Sequence, residues 1–261
     1  RRTAQLAASG MLLEAPGREI FQALSDSVRD AAIVHTIAHP PSTTAAIVAI
    51  APDHYRLLAL GDTGIRVNGK DIYQHHKLID VVSTAARVAV HGFISRKIAD
   101  LDIAEMTTRK VIFNGLDAAV SGGQITASEA DDAIAAAISA ANVTRDIAAE
   151  FLSGGIKTQF HRANAEGPLG FASINGKEII LEGTTDLRIP REQVQSIEIF
   201  SDGYVSIPES GVEVADWERE FERAEGVDFH KTSAFPAVKG STSLESCDDR
   251  TVISAISVRG Y

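Results

Sequence analysis

Cysteine is nearly absent from this 261-residue chain, and the single thiol, Cys247, excludes an internal disulfide framework and any multi-cysteine zinc site. No apolar run is long enough to span a bilayer, and Arg1-Arg2-Thr3-Ala4 lacks the apolar core of a secretory signal. Negative charge exceeds positive. The net charge of -10 is spread along the chain, which disfavours nucleic acid and an anionic membrane surface as partners. On these grounds the protein is expected to be cytoplasmic. With 44% hydrophobic and 23% charged residues, it can bury a proper core as one domain.

The residues present divide into blocks. Ile20, Phe21, Leu24, Val28, Ala31 and Ala32 recur at helical spacing, so 18 to 35 is expected to be a helix, preceded by another over 1 to 13. His39-Pro40-Pro41 forbids continuation. Thr43 to Ile50 and Tyr55 to Leu60 predict paired strands, and Asn68-Gly69 predicts a tight hairpin between Ile65–Val67 and Asp71–Tyr73. From 77 to about 155 the period becomes helical. Its last segment is expected to start at Thr126, with Glu129 completing a capping box, and to stop at Gly154-Gly155. Strands then resume at Gly170 to Ile174 and Ile179 to Leu181 around Asn175-Gly176, followed by Ser196 to Phe200 and Thr251 to Val258. A helix around Trp217, Phe221 and Ala224 lies between the last two strands. Helices beside blocks of antiparallel strands imply an α+β layered fold with two packed sheets.

Three aspartates stand at strand edges: Asp62 in Leu60-Gly61-Asp62-Thr63, Asp202 in Phe200-Ser201-Asp202-Gly203, and Asp248 in Cys247-Asp248-Asp249-Arg250-Thr251. Carboxylates at the tips of rigid strands are what a hard cation requires. An Asp-Gly after a strand is also an ordinary turn, because aspartate bonds back to its own backbone and glycine permits positive φ. Asp249 and Gly203 are possible supports for these ligands, and Asp249 reads equally as a solvated neighbour. His75-His76 reads as surface, since adjacent residues point apart. Arg162 in His161-Arg162 could grip phosphate or serve solubility. Cys247 reads as a buried inert thiol, and Gly154-Gly155 as a helix stop.

Taken in order, Ser42-Thr43-Thr44-Ala45, Leu60-Gly61-Asp62-Thr63, Ser201-Asp202-Gly203 and Asp248-Asp249-Arg250-Thr251-Val252 resemble the motifs of the PP2C-type (PPM) metal-dependent protein phosphatases, in the short form of bacterial members. The resemblance covers about residues 18 to 258, and the stretch near 90 to 155 matches poorly, as a helical insert would. It implies an αββα sandwich of two antiparallel sheets over 1–261, a Mn2+ or Mg2+ centre, and hydrolysis of phosphoserine or phosphothreonine in a protein by metal-activated water. By position it implies that Asp202 and Asp248 bind metal and that Asp62 serves a peripheral third ion.

The sequence departs from the family pattern in two places. No Asp-Gly-x-Gly-Gly loop is present, since Asp202-Gly203 is the one Asp-Gly in the chain, so the bridging ligand has no counterpart. Ser206 stands where relatives often carry a second aspartate. These departures imply either an N-terminally shortened phosphatase or a pseudophosphatase acting as a binding or regulatory module. Missing edge strands would favour a partner strand or self-association.

Overall fold

The computed structural model describes residues 1–37, 41–180 and 182–256. Helices α1 (Arg2–Ala8), α2 (Met11–Glu14) and α3 (Gly17–Val34) open the chain. The single helix expected over 1 to 13 is broken, because Gly10 adopts φ 78° and restarts the chain as the N-cap of α2. His39-Pro40 lies outside the described residues. Strands β1 (Ala45–Ile50) and β2 (His54–Leu60) form the expected hairpin, with Ala45 opposite Leu60 and Ile50 opposite Tyr55. Strands β3 (Gly64–Val67) and β4 (Asp71–Tyr73) form the second, with Asn68 and Gly69 at φ 55° and 70° as a tight primed turn requires.

Five helices follow: α4 (Leu78–Ile94), α5 (Leu101–Asn114), α6 (Leu116–Ser121), α7 (Ala127–Ala141) and α8 (Arg145–Gly154). The capping box of Thr126 and Glu129 is present with both of its bonds. The helix it starts does not run to Gly154. Asn142 takes a left-handed conformation that ends α7, and the Thr144 hydroxyl caps a new helix at Ile147 N–H.

The stretch expected to form strands at 170 to 174 and 179 to 181 makes only isolated bridges among the described residues, Ala163 to Phe171 and Thr43 to Ile174. Side chains satisfy its backbone instead: the Asn164 amide takes Ser173 O at 2.5 Å and Ser173 N at 3.1 Å, and Gln22 Oε1 accepts from Ile179 N at 3.0 Å. Leu181 is outside the described residues. The third strand of the first sheet is β5 (Thr184–Pro190), which pairs with β2. Strands β6 (Ser196–Phe200) and β7 (Val252–Ile256) complete the second sheet, with helix α9 (Val214–Val227) between them; residues 257 and 258 of the expected last strand are not described.

The protein is therefore a mixed helix and sheet structure with two antiparallel sheets, ordered β1-β2-β5 and β4-β3-β6-β7. Alternation along β2 divides the core. Leu58 and Leu60 pack with Ile20 and Phe21 of α3, whereas Leu57 and Ala59 pack with Ile65, Val67 and Ile197 of the other sheet. Phe200 and Trp217 join α9 to the second sheet with ring centroids 4.7 Å apart. Helices α4–α8 bury a separate core containing Val90, Val111 and Phe151. No helix among the described residues is long and apolar enough to cross a membrane.

Candidate metal centre

Sheet register brings the aspartates to one end of the molecule. Gly64 of β3 sits opposite Phe200 of β6, and Phe200 opposite Val252 of β7. Asp62 lies two residues before Gly64, Asp202 two residues after Phe200, and Asp248 four residues before Val252. All three leave the second sheet at the same edge. Thr44 and Thr63 share a hydroxyl contact of 2.6 Å that pins the turn carrying Asp62, and Ser201 N–H donates to Thr251 O at 3.0 Å beside Asp202. Gly203 is required by proximity, since a Cβ there would stand 2.1 Å from Asp249 O.

Asp62 and Asp202 meet carboxyl to carboxyl. Although Asp202 is exposed on its outer side, the protein beside it and then the neighbouring Asp62 push its carboxyl up to about 6, with Lys77 opposing the shift. Two residues missed in the sequence join them. Lys77 stands before the first turn of α4, its Nζ 2.5 Å from Asp62 Oδ2 and 3.3 Å from Asp80 Oδ2. Burial alone would lower the Lys77 ammonium, but Asp80 and Asp62 outweigh it and hold its pKa above the ordinary lysine value. Burial also raises Asp80, against the pull of Lys77. Lys77 and Asp80 are three apart at a helix start, a pattern common enough in any helix that nothing in the sequence tied it to Asp62.

Asp248 is more remote. It is exposed and ion-paired with Lys239 at 3.4 Å. It still lines, with Asp62, Asp80 and Asp202, one groove of about 1490 Å³ that runs over Val81, Met106, Phe113 and Ile156. No three of these four carboxylates bring an oxygen each within 4.8 Å of one another; among the described residues only His91, Glu105 and His230 form such a group. The rim as it stands holds a carboxylate pair with two more carboxylates nearby, against Lys77 and Lys239.

An all-oxygen donor set with surplus negative charge suits a hard divalent ion. Asp62 Oδ2 supports that fit: it is buried with no aligned hydrogen bond and lies 2.5 Å from the Lys77 ammonium. Asp62 and Asp202 could hold the ion, with Asp80 next to them.

The other sequence candidates lie elsewhere. Asp249 is exposed, its N–H donating to Asp248 Oδ1 at 2.9 Å. His75, expected at the surface, is half-buried because Nε2 reaches the Thr185 hydroxyl at 2.8 Å, while His76 is exposed. Arg162 is ion-paired with Glu150 at 2.7 Å. Cys247 is buried, and that burial pushes its thiol pKa up. Gly155 caps α8 at φ 74°.

No protein-family model and no curated protein sequence matches the chain. Among solved structures, it is similar to a bacterial serine phosphatase, with a TM-score of 0.34 and 11% identity, and to a bacterial serine phosphatase carrying an arginine-to-lysine substitution, with a TM-score of 0.35 and 10% identity. Each likeness covers 86% of this chain and 69% of the other. Similarity that distant assigns no residue and no reaction.

Proposed function

We propose that the chain is a metal-dependent phosphoprotein phosphatase of PP2C-like architecture, acting on phosphoserine or phosphothreonine with Mn2+ or Mg2+ in the cytoplasm. The observation that carries this reading is the Asp62–Asp202 carboxyl pair, held at one end of the second sheet, where the Asp202 carboxyl is pushed up in a way that a bound cation would relieve. A divalent ion there would lower the pKa of its bound water and neutralise charge on a phosphoryl group. The chain's own residues do the rest. Asp62 and Asp202 would hold the ion, Lys77 would offer its ammonium at the same rim to a phosphoryl oxygen, and the apolar wall of the groove would receive residues flanking the phosphate. No side chain needs to act as a covalent nucleophile.

A second reading, a pseudophosphatase serving as a binding or regulatory module, is favoured by one observation. Lys77 already occupies the space between Asp62 and Asp80, so an ammonium partly replaces the ion. Hydrolysis of p-nitrophenyl phosphate and of a phosphothreonine peptide, with and without Mn2+, separates the two. Mn2+-dependent turnover is expected, and Asp202→Asn should lower it more than about 100-fold, since even groups one shell out from a metal cost 10 to 100-fold. Unchanged turnover in that variant refutes the assignment. Absence of turnover in both, with Mn2+ affinity that rises in Lys77→Met, would establish the module.

A further inference from the structure

His91 of α4, Glu105 of α5 and His230, just beyond α9, take no part in the carboxylate rim, yet one ligand atom of each lies within 4.8 Å of the others. His91 Nε2 is 3.9 Å from Glu105 Oε2, and the two imidazole rings are 5.7 Å apart between centroids. The residue is 7% exposed, and its Nε2 is buried with no hydrogen-bond partner. A buried ring nitrogen left unpaired is costly and calls for a partner.

The other two residues are prepared in the same sense. His230 Nδ1 lies 3.0 Å from Ser241 O, and only a protonated Nδ1 can donate to a carbonyl, so the neutral ring keeps a bare Nε2. Fixing a histidine tautomer through a backbone carbonyl is how metal-binding imidazoles are oriented. Glu105 accepts from Gly240 N at 2.8 Å and Arg109 Nε at 3.1 Å on Oε1, and from Arg87 on Oε2. A carboxylate has about four acceptor sites, so one remains, on the oxygen nearest His91.

The arginines oppose a cation, but they are outnumbered. Around the cluster, Arg87, Arg109 and Lys231 face Asp102, Glu105, Glu225, Asp228 and Glu245.

We propose that His91, His230 and Glu105 bind a divalent transition metal of the zinc class. Two imidazoles and one carboxylate suit Zn2+ or Co2+ and leave a fourth position open, whereas Mg2+ and Mn2+ prefer oxygen alone. The ion joins two helices to the segment after α9, which lines the groove through Thr232, Ser233 and Lys239 and continues to Asp248. It is a staple for that wall, separate from the ion at Asp62 and Asp202.

The test uses the full chain stripped with chelator and titrated with Co2+. One equivalent is expected to give the intense visible absorption of tetrahedral cobalt, displaced by Zn2+ and retained in excess Mg2+. His91→Ala and His230→Gln should each weaken this binding more than about 100-fold, while Asp202→Asn leaves it unchanged. Circular dichroism identifies variants that fold; should His91→Ala not, the half-buried His230→Gln decides. Failure of the wild-type chain to bind that equivalent, or undiminished binding in folded His230→Gln, overturns the proposal. Either result leaves Mn2+-dependent hydrolysis to be judged separately.

Discussion

Asp228 ends α9 with a carboxylate that accepts backbone N–H groups from Thr232 at 2.9 Å, Ser233 at 2.8 Å and Phe235 at 2.9 Å. Burial pushes its pKa upward, but the three donors outweigh burial and leave it below the usual aspartate value. A carboxylate depressed by folding contributes stability that is present above the unfolded pKa of about 4 and is lost as pH falls through the folded value. Asp228→Asn should therefore cost about 1–3 kcal/mol at pH 7 and progressively less below pH 4, as read by thermal unfolding. Asp202 has the opposite sign. Its folded value of about 6 lies above the unfolded one, so its contribution is complete below about pH 4 and is lost as pH rises to 6. In the metal-free protein Asp202→Asn should raise the melting temperature at pH 7 to 8 and leave it unchanged near pH 4. A change in melting temperature that is the same at both pH values would mean that folding does not raise Asp202, either through its surroundings or through Asp62. The sequence marked Asp62 and Asp202 because each trails an apolar strand. It did not mark Lys77, Asp80 or the His91, Glu105 and His230 group, since their meeting depends on how helices cross and on no local spacing.

At the scale of elements, strands β3 and β6 are joined by more than their ladder. Arg66 and Glu198 are register partners, buried to 1% and 0% exposure, and form a direct ion pair. Arg66 also donates to Pro208 O and Gly211 O and stacks its guanidinium 4.9 Å from the Trp217 ring, while the Ser196 hydroxyl bonds Glu198 at 2.9 Å. Glu198→Ala would leave the guanidinium buried without its counter-charge, which costs about 3–5 kcal/mol. The denaturation midpoint in urea should fall accordingly, and Arg66→Met with Glu198→Met should recover much of the loss; a single-variant cost below 1 kcal/mol would mean that water reaches Arg66. Elements with local signals were legible, as the Asn68-Gly69 turn and the Thr126 capping box illustrate. Strand β5 was not. Thr184–Pro190 is an edge strand ending in proline, and its apolar alternation is limited to Leu187 and Ile189 between Asp186 and Arg188; Asp186 clasps buried Arg56 at 2.7 Å and 2.8 Å. The break at Asn142 escaped because alanines continue the helical period on both sides.

For the molecule as a whole, the separation of the α4–α8 core from the clusters around the sheets sets the cooperativity. Helices α4–α8 bury Phe151 at 2% exposure among their own side chains, while β2 shares its side chains between α3 and the second sheet. Much of the connection between these halves is polar. Lys77 reaches Asp62 at the rim, Arg87 donates to carbonyls of His230, Lys231 and Ala237, and Arg109 reaches Gly240 and Glu245. Polar clasps of that kind restrain orientation without burying much shared apolar area, so the helical half should open below the energy needed to unfold the sheets. Phe151→Ala, which removes a core ring at a cost of about 3–5 kcal/mol, should then accelerate amide hydrogen exchange throughout α4–α8 while amides of β2, β3 and β6 keep their protection. Uniform loss of protection across both halves would show one cooperative unit, and would mean that the clasps at Arg87 and Arg109 transmit stability as fully as a common core.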